Sequence, residues 1–372
     1  VAISSGVASG PAPRAHPATR SARGGPVSGH AQTLAASSAA ASGLARPWFV
    51  ADIGGTNARF GWLAAGSDVV AHVATLRGAD HASPASAAQA YLAQLQAQLG
   101  AAYTPPRAGA FAVATAVGGD EVAFTNSGWV FSREATRRQL ALDALLILND
   151  FEDLALSLPR LHGAQVRAVG AVAKPAAMLS AATLAVIGPG TGLGVAGLVP
   201  TAHGWVALPG EGGHATISAA DDYESALLSA VRRQHPHVSA ERLLSGIGLP
   251  VLHAAVAAVA GKAEPALTAD KIVERGLAGQ DELCSRTVDS FCALLGSFAG
   301  NVALTLGARG GVYIGGGIVP RFGERFYSSR FRERFEAKGR FKAYLQAIPT
   351  LLITDTLAAL TGAALALEQH GR

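Results

Sequence analysis

The feature that most constrains the fold is the alternation of short apolar runs with helical segments from residue 48 onward. Runs such as "ALLIL" (144–148) and "TLAVIG" (183–188) have the length and composition of buried strands, whereas residues 84–99 and 221–234 read as helices. This interleaving predicts an α/β fold with some antiparallel hairpins. We expect further strands at 48–75, "GAFAVATAV", "EVAFTNSGWVF", "LGVAGLV" and "GGVYIGG", and further helices at 133–141 and 239–260.

The excess of positive charge lies in the first 47 residues. The chain has 30 basic and 26 acidic residues, and four of the basic ones, with no acidic residue, belong to this Ala-, Ser-, Gly- and Pro-rich segment. Residues 48–372 are therefore formally neutral, which argues against a nucleic-acid-binding domain. We predict a disordered tail over residues 1–47, which is either a transit-like segment or an over-extended start.

Two segments are apolar enough to be mistaken for membrane helices. Residues 175–210 carry no charge, but Pro189 and several glycines interrupt them. Residues 290–308, "SFCALLGSFAGNVALTLGA", place polar side chains on one face at four-residue intervals and lead directly into a strand. We therefore predict a helix buried in protein and no contact with a membrane.

The two cysteines, Cys284 and Cys292, fall in the segment around that predicted helix. Eight helical residues correspond to about 12 Å, which is beyond the reach of a disulfide. Two free, buried thiols fit a reducing cytoplasm, and the lack of a Cys/His cluster argues against a zinc site.

Two glycine-rich turns are candidates for phosphate binding. In "ADIGGT", adjacent glycines let backbone N–H groups approach an anion, and Asp52 would repel a phosphate unless a metal ion lies between them. This pattern suggests Mg²⁺ and a nucleotide, although a hairpin turn also favours Asp and Gly. The second turn, "VIGPGTGLGVAGLV", contains GxGxxG but no helix after it, so we predict a glycine-rich hairpin with Thr191 at its tip and no dinucleotide fingerprint.

Several acids and one histidine lie where chemistry is possible. Asp150 stands between a buried strand and a helix, where an acid is foremost a good helix N-cap and the alternative role is a general base. Glu211 and His214 occupy a loop bracketed by glycines, a place where such residues are usually only solvated. Glu241 falls in the first turn of a helix that Ser239 would cap, and the helix dipole alone would favour an acid there.

Taken in order, these motifs resemble the bacterial ATP-dependent glucokinase family. The resemblance rests on "ADIGGTNARF", "TNSGW", "LNDFEDLALSLP", "GPGTGLGVAGLV", "LPGEGGHATI", "SAERLLSGIG", "GGVYIGGGIVPRF" and "KGRFKAYLQAIP", and it spans residues 48–366. It implies the fold of the hexokinase, actin and Hsp70 superfamily, with two ribonuclease-H-like lobes around a cleft. The lobes would be a small domain of residues 48–160, completed by a C-terminal helix at 356–372, and a large domain of residues 161–355.

The resemblance also implies a role for each matching residue. Asp150 would be the catalytic base, and Asp52 would contact Mg²⁺ through water. The sugar hydroxyls would be bound by Asn149, Asp150, Glu211, His214 and Glu241. ATP would be held by a first phosphate loop (Ala51, Asp52, Ile53, Gly54, Gly55 and Thr56), a second phosphate loop (Gly190, Thr191 and Gly192) and an adenosine loop (Gly316 and Gly317).

The activity implied is phosphoryl transfer from ATP to glucose in the cytoplasm by a homodimer, as the first step of glycolysis. One alternative is a non-catalytic, sugar-sensing regulator on the same fold, but the first 47 residues show no helix-turn-helix pattern. Another is an ATPase of the actin or chaperone type, which the acids and histidine around a sugar cleft disfavour.

Overall fold

A computed structural model of the protein describes residues 44–115, 117–124, 128–170, 182–263 and 266–370. Most of the predicted disordered tail, residues 1–43, lies outside the described residues. Its last four residues do not fit the prediction, because Arg46 donates hydrogen bonds to Asp68 and Glu368 and its guanidinium lies 4.6 Å from the centre of the Trp48 ring. These contacts attach residues 44–47 to the folded protein.

The described residues form two central sheets and one separate hairpin. The strands are β1 (Trp48–Ile53), β2 (Asn57–Leu63), β3 (Ala71–Arg77), β4 (Ala108–Val113), β5 (Glu121–Ala123), β6 (Val130–Ser132), β7 (Ala144–Asn149), β8 (Val166–Ala168), β9 (Leu184–Pro189), β10 (Leu193–Thr201), β11 (Gly204–Gly210), β12 (Gly311–Ile314) and β13 (Thr350–Ile353). The first sheet has the order β3-β2-β1-β4-β7 and the second the order β11-β10-β9-β12-β13-β8.

The two sheets repeat one topology. In each, three antiparallel strands are followed by two strands that run parallel to the first of the three, namely β4 and β7 in the first sheet and β12 and β13 in the second. The second sheet adds the antiparallel strand β8 at its edge. The repeated order confirms the predicted α/β fold with two ribonuclease-H-like halves.

Helices cover and connect the sheets. They are α1 (Pro84–Leu99), α2 (Arg133–Gln139), α3 (Asp150–Ser157), α4 (Asp222–Arg232), α5 (Leu249–Val259), α6 (Ala269–Leu277), α7 (Glu282–Leu306), α8 (Glu324–Tyr327), α9 (Phe331–Glu336), α10 (Lys342–Gln346) and α11 (Ala358–His370). The observed bounds of α1 confirm the predicted ones. The start of the helix is fixed by Pro84 at its first position and by a reciprocal capping box between Ser83 and Ser86.

Two predicted elements differ from the structure. The helix expected over residues 239–260 begins only at Leu249, because turns occupy residues 241–248. Pro250, which lacks a backbone N–H, fits the first turn of the shorter helix. The strand expected over "EVAFTNSGWVF" is a pair of short strands, β5 and β6, and residues 125–127 between them lie outside the described residues.

The long apolar helix is α7. It is the helix among the described residues that is long and apolar enough to cross a membrane, and 83% of its most apolar window is buried inside the protein. Asp281 caps its first turn, and Gly307 ends it in the left-handed conformation with φ of 62°. The helix therefore packs as a core element, as predicted, with Cys284 and Cys292 buried and not joined in a disulfide.

Helices α3 and α11 form the layer between the two sheets. Buried residues of α3 pack with Leu184 and Val186 of the second sheet, while Leu360 and Leu367 of α11 pack with β1 and β4 of the first. The side chain of Asp153 on α3 is buried beside Gly362 of α11. Because β7 continues directly into α3, this layer fixes the end of the first sheet against the face of the second. The lobe boundaries at 160/161 and 355/356 stay a prediction.

Candidate active site

A cleft of about 680 Å³ lies where the loops of the two sheets meet. It brings together residues that were predicted to act in catalysis, in sugar binding and in ATP binding. The predicted site residues that line it are Gly54, Gly55, Asn149, Asp150, Gly190, Thr191, Gly192, Glu211, Glu241 and Gly316. The motifs that are far apart in the sequence therefore share one space, as a substrate site requires.

The first phosphate loop is the turn between β1 and β2. Gly54 donates its N–H to the Asn57 carbonyl, which closes the turn at 2.9 Å. Ala51 and Ile53 are buried in β1, so only the glycines of this loop line the cleft, and Thr56 is exposed beside them. The predicted loop thus consists of a buried strand end and a short glycine turn.

Asp52 lies near the carboxyl end of β1, opposite Arg59 of β2. Burial raises the pKa of its carboxyl group above the ordinary value, and the positive charge of Arg59 partly offsets that rise. Its negative charge in turn contributes to a raised pKa of Asp150. A part-buried carboxylate whose charge disfavours ionisation of a second one is a favourable environment for a cation.

The donor set fits Mg²⁺ but not a metal cage made of protein alone. Within the described residues, no group of three or more His, Cys, Asp or Glu side chains could hold a metal ion. Mg²⁺ usually takes one or two carboxylates and completes its shell with water and substrate phosphates. Asp52 adjoins the first glycine loop without lining the cleft itself. Asp150, which is near it, lines the cleft together with both glycine loops, so this donor set meets that requirement.

The second phosphate loop is the tip of the β9–β10 hairpin, so the predicted hairpin is confirmed and GxGxxG is not a dinucleotide fingerprint here. Gly190 donates to the Gly192 carbonyl and accepts from the N–H of Gly246, both at 2.8 Å. The N–H of Leu193 donates to Oε2 of Glu241 at 2.9 Å. The tip of the hairpin is therefore fixed by hydrogen bonds to Gly246 and to Glu241.

The predicted adenosine loop follows β12, which runs parallel to β9. Gly316 has φ of +77°, and a Cβ at this position would overlap the Pro189 carbonyl. Glycine is thus required both by conformation and by close approach to the second phosphate loop. Gly316 lines the cleft, whereas Gly317 is exposed and does not.

Asp150 is the first residue of α3, and the preceding Asn149 is the N-cap. The Asn149 side chain accepts hydrogen bonds from the N–H groups of Phe151 and Glu152 and donates one to the Thr115 carbonyl. The N-cap role considered for Asp150 is therefore filled by its neighbour. This leaves the Asp150 carboxylate directed by a hydrogen bond from the Phe151 N–H at 3.0 Å and lining the cleft.

The pKa of Asp150 is raised to about 6, mainly by desolvation on burial. The hydrogen bond from the Phe151 N–H lowers it, and the charge of Asp52 raises it further. A carboxyl group of this kind is ionised at neutral pH and is more basic than an ordinary aspartate. It has the properties of a general base.

Glu211 and Glu241 line the cleft, and His214, which does not line it, lies beside both of them. Nε2 of His214 lies 3.9 Å from Oε2 of Glu211 and 3.8 Å from Oε1 of Glu241. Glu211 is 83% exposed and Glu241 only 22% exposed. The three side chains thus converge, but Glu241 is fixed by the protein while Glu211 faces solvent.

Glu241 lies in a turn, so the prediction that it occupies the first turn of a helix was wrong. Ser239 does accept a hydrogen bond from the Arg242 N–H, but helix α5 begins only at Leu249. The backbone N–H of Glu241 donates to the Gly213 carbonyl at 2.8 Å. Glu241 therefore connects the loop that carries Glu211 and His214 to the second phosphate loop.

Asp153, one turn after Asp150, was not predicted to have a role. It is fully buried, and among the described residues neither of its carboxylate oxygens has a hydrogen-bond partner. Desolvation raises its pKa well above the ordinary value, with added repulsion from Asp52 and Asp150. The folded state therefore holds a proton that the unfolded chain releases near pH 4.

Asp153→Asn should change how stability depends on pH. Since the folded pKa is raised, the free energy of unfolding of the wild type falls as pH rises from about 4 towards that pKa. The variant lacks this titration, so its Tm should exceed that of the wild type at pH 8, and the two values should converge near pH 4. Thermal unfolding from pH 4 to pH 8 measures this, and a parallel decline in both proteins would contradict the assignment.

The cleft also contains residues that the sequence analysis did not assign to the site. They are Ala114, Thr115, Phe151, Gly188, Leu193, Gly194 and Gly210. A signal was available for two of them, because Gly188 and Gly194 face each other in the predicted hairpin. Strand glycines mark places where another group approaches closely.

Comparison with known proteins agrees with this geometry. The sequence model of the glucokinase family, described as "Glucokinase", matches residues 49–370. A glucokinase of Neisseria meningitidis serogroup C is 48% identical over 327 residues, which cover 88% of this chain and 96% of that protein. A glucokinase of Chromobacterium violaceum is also 48% identical, over 331 residues that cover 88% of this chain and 92% of that protein.

The fold is similar to that of a solved relative. The crystal structure of a glucokinase from an Antarctic psychrotroph superposes with a TM-score of 0.79 at 38% identity, covering 86% of this chain and 98% of that one. Sequence, fold and the arrangement of the cleft lead to one assignment. The chain belongs to the glucokinase family.

Proposed function

We propose that the cleft transfers the γ-phosphate of ATP to the 6-hydroxyl group of D-glucose, giving glucose 6-phosphate and ADP, with Asp150 as the general base. The observation that carries the proposal is the position of Asp150, which lies in one cleft with two glycine-rich loops and a polar loop. Its raised pKa, about 6, suits removal of the hydroxyl proton at neutral pH.

Phosphoryl transfer depends mainly on positioning and on neutralising charge. The backbone N–H groups around Gly54, Gly55 and Gly190–Gly192 would bind the phosphates, and the turn at Gly316 would face the adenosine. Asp52 would hold Mg²⁺ through water, and the metal ion would neutralise phosphate charge. Glycines suit these positions because no side chain separates the backbone from the anion.

The sugar hydroxyls would be bound by Asn149, Asp150, Glu211, His214 and Glu241. Carboxylates accept hydroxyl protons, and imidazole and amide groups can donate as well, so together they match groups that both donate and accept. A sugar that lacked a matching hydroxyl would leave one of these groups unpaired, which disfavours its binding.

The pH dependence of catalysis follows from Asp150. Its base form is lost as pH falls through the raised pKa, about 6, so kcat/KM should decrease about tenfold per pH unit below that value. Direct quantification of ADP between pH 4.5 and pH 8 measures this without coupling enzymes. Circular dichroism at each pH provides the control for unfolding. A kcat/KM that is constant down to pH 5 would contradict the role of Asp150.

A kinase assay with a panel of sugars and phosphoryl donors tests the function. We expect turnover with glucose and ATP that depends on Mg²⁺, and much less with sugars that differ in one hydroxyl group. Binding of glucose without turnover would favour the regulator, and ATP hydrolysis that does not require glucose would favour the ATPase. Asp150→Asn, purified in parallel, controls for a contaminating kinase.

The homodimer, the cytoplasmic location and the lobe boundaries are further parts of the proposal, and the family resemblance supports them. The homodimer can be tested directly, because light scattering coupled to gel filtration separates a 37.6 kDa monomer from a species of twice that mass. A single peak at the monomer mass at micromolar concentration would contradict the dimer.

A further inference from the structure

Phe151, the residue after the base, fills a depression in the second phosphate hairpin. Gly188 of β9 and Gly194 of β10 lie directly opposite each other. A Cβ at Gly194 would overlap the Phe151 ring, and a Cβ at Gly188 would lie 2.7 Å from Cε1 of the same ring. Atoms at such distances overlap, so the ring occupies the space that two missing side chains leave.

The backbone at Gly194 does not itself require glycine, since its φ lies outside the left-handed range. The close approach of Phe151 is therefore the constraint that the structure shows at this position. The ring is only partly buried and lines the cleft, in contrast to neighbours on α3 such as Leu156, which is 4% exposed. The ring thus both packs against the core and lines the cleft.

This contact joins the two halves of the site. Phe151 belongs to the helix that carries Asp150 and follows the first sheet, whereas the glycine pair lies in the hairpin of the second sheet whose tip is Gly190–Gly192. The tip is itself fixed by Gly246 and by Glu241. A displacement of the Phe151 ring would therefore move the base relative to the whole hairpin.

We propose that Phe151 is a positioning residue, which sets the distance between the Asp150 carboxylate and the second phosphate loop by filling the depression at Gly188 and Gly194. The inference rests on the proposed function, in which the base acts on the sugar and the loop holds the phosphates. In-line transfer needs reacting atoms about 3–3.5 Å apart, and an error of about 1 Å costs on the order of 100-fold in rate. A rigid ring between the two elements meets that need.

The test makes the side chain smaller on one side of the contact and larger on the other. Phe151→Leu removes ring atoms, and Gly194→Ala adds a methyl group where the ring lies. Each single variant should lower kcat about 10- to 100-fold, while the Kd for glucose, measured by calorimetry, stays within about threefold. The double variant should recover at least tenfold in kcat over the slower single variant, because the smaller side chain leaves room for the added methyl group.

A matched control separates positioning from stability. Leu156→Ala also removes a large apolar side chain from α3, but away from the glycine pair, so it should lower Tm and leave kcat unchanged. If kcat of Phe151→Leu and Gly194→Ala stays within threefold of the wild type, or if the double variant is as slow as the slower single one, the positioning role is wrong.

The wild-type assay separates this inference from the proposed function. A wild type that phosphorylates glucose, together with single variants of unchanged kcat, overturns the inference alone. A wild type that turns over neither glucose nor another hexose overturns both. Should Phe151→Leu fail to fold, Gly194→Ala and Gly188→Ala probe the same contact from the hairpin side, with the same loss of kcat expected.

Discussion

Asp150→Asn should lower kcat about 100- to 10,000-fold, the range that removal of a general base produces. The amide is nearly the same size as the carboxyl group and cannot accept the hydroxyl proton, so the sugar should still bind. We expect the Kd for glucose to change no more than a few-fold. Single-turnover kinetics with saturating ATP would measure the chemical step, and calorimetry would measure binding of glucose.

The neighbouring Glu152 provides the control for Asp150. It also lies in the first turn of α3 and also has a raised pKa through burial, but it does not line the cleft. Glu152→Gln removes one carboxylate from the same helix and should leave kcat near the wild-type value. An Asp150→Asn variant as active as Glu152→Gln would rule out Asp150 as the base.

Glu241→Ala should have the next largest effect, lowering kcat/KM by about two to three orders of magnitude. It removes a proposed contact with a sugar hydroxyl and leaves the part-buried N–H of Leu193 without its acceptor. A hydrogen bond to a charged group contributes about 1.5–3 kcal/mol, and an unpaired buried donor costs about 1–3 kcal/mol. Both kcat and the KM for glucose should therefore change.

Two other variants separate the two functions of Glu241. Glu241→Gln keeps an oxygen that can accept from the Leu193 N–H, so its kcat should lie closer to the wild type than that of Glu241→Ala. Glu211 is exposed and has no such link, so Glu211→Ala should raise the glucose KM with little change in kcat. Equal kcat values for Glu241→Ala and Glu211→Ala would contradict a link between sugar binding and the phosphate loop.

Local sequence patterns predicted most elements of this fold because the relevant forces are local. The helix at residues 84–99 and the glycine-rich hairpin around Gly188–Gly194 were predicted from their own residues alone, and the structure contains both. The shared cleft depended on a further rule, that strand ends of a parallel sheet place their loops at one edge. Family resemblance supplied the individual roles.

The parts that the sequence did not predict depend on contacts between distant segments. The turns at 241–248 replace a helix because residues 239–241 hydrogen bond to the loop near Gly213, which no local pattern reveals. Asn149, not Asp150, caps α3, since both residue types are good caps and only the geometry decides. The contact between Phe151 and the glycine pair joins segments about 40 residues apart.

The two buried cysteines of α7 have a practical consequence. Burial raises the pKa of the Cys292 thiol to about 12, so its reactive thiolate is extremely scarce at neutral pH while the protein is folded. Both thiols become reactive only when the core of the second sheet opens. Their labelling rate with a maleimide therefore reports transient opening of the native enzyme, which gives every variant described above a measure of integrity that is independent of its activity.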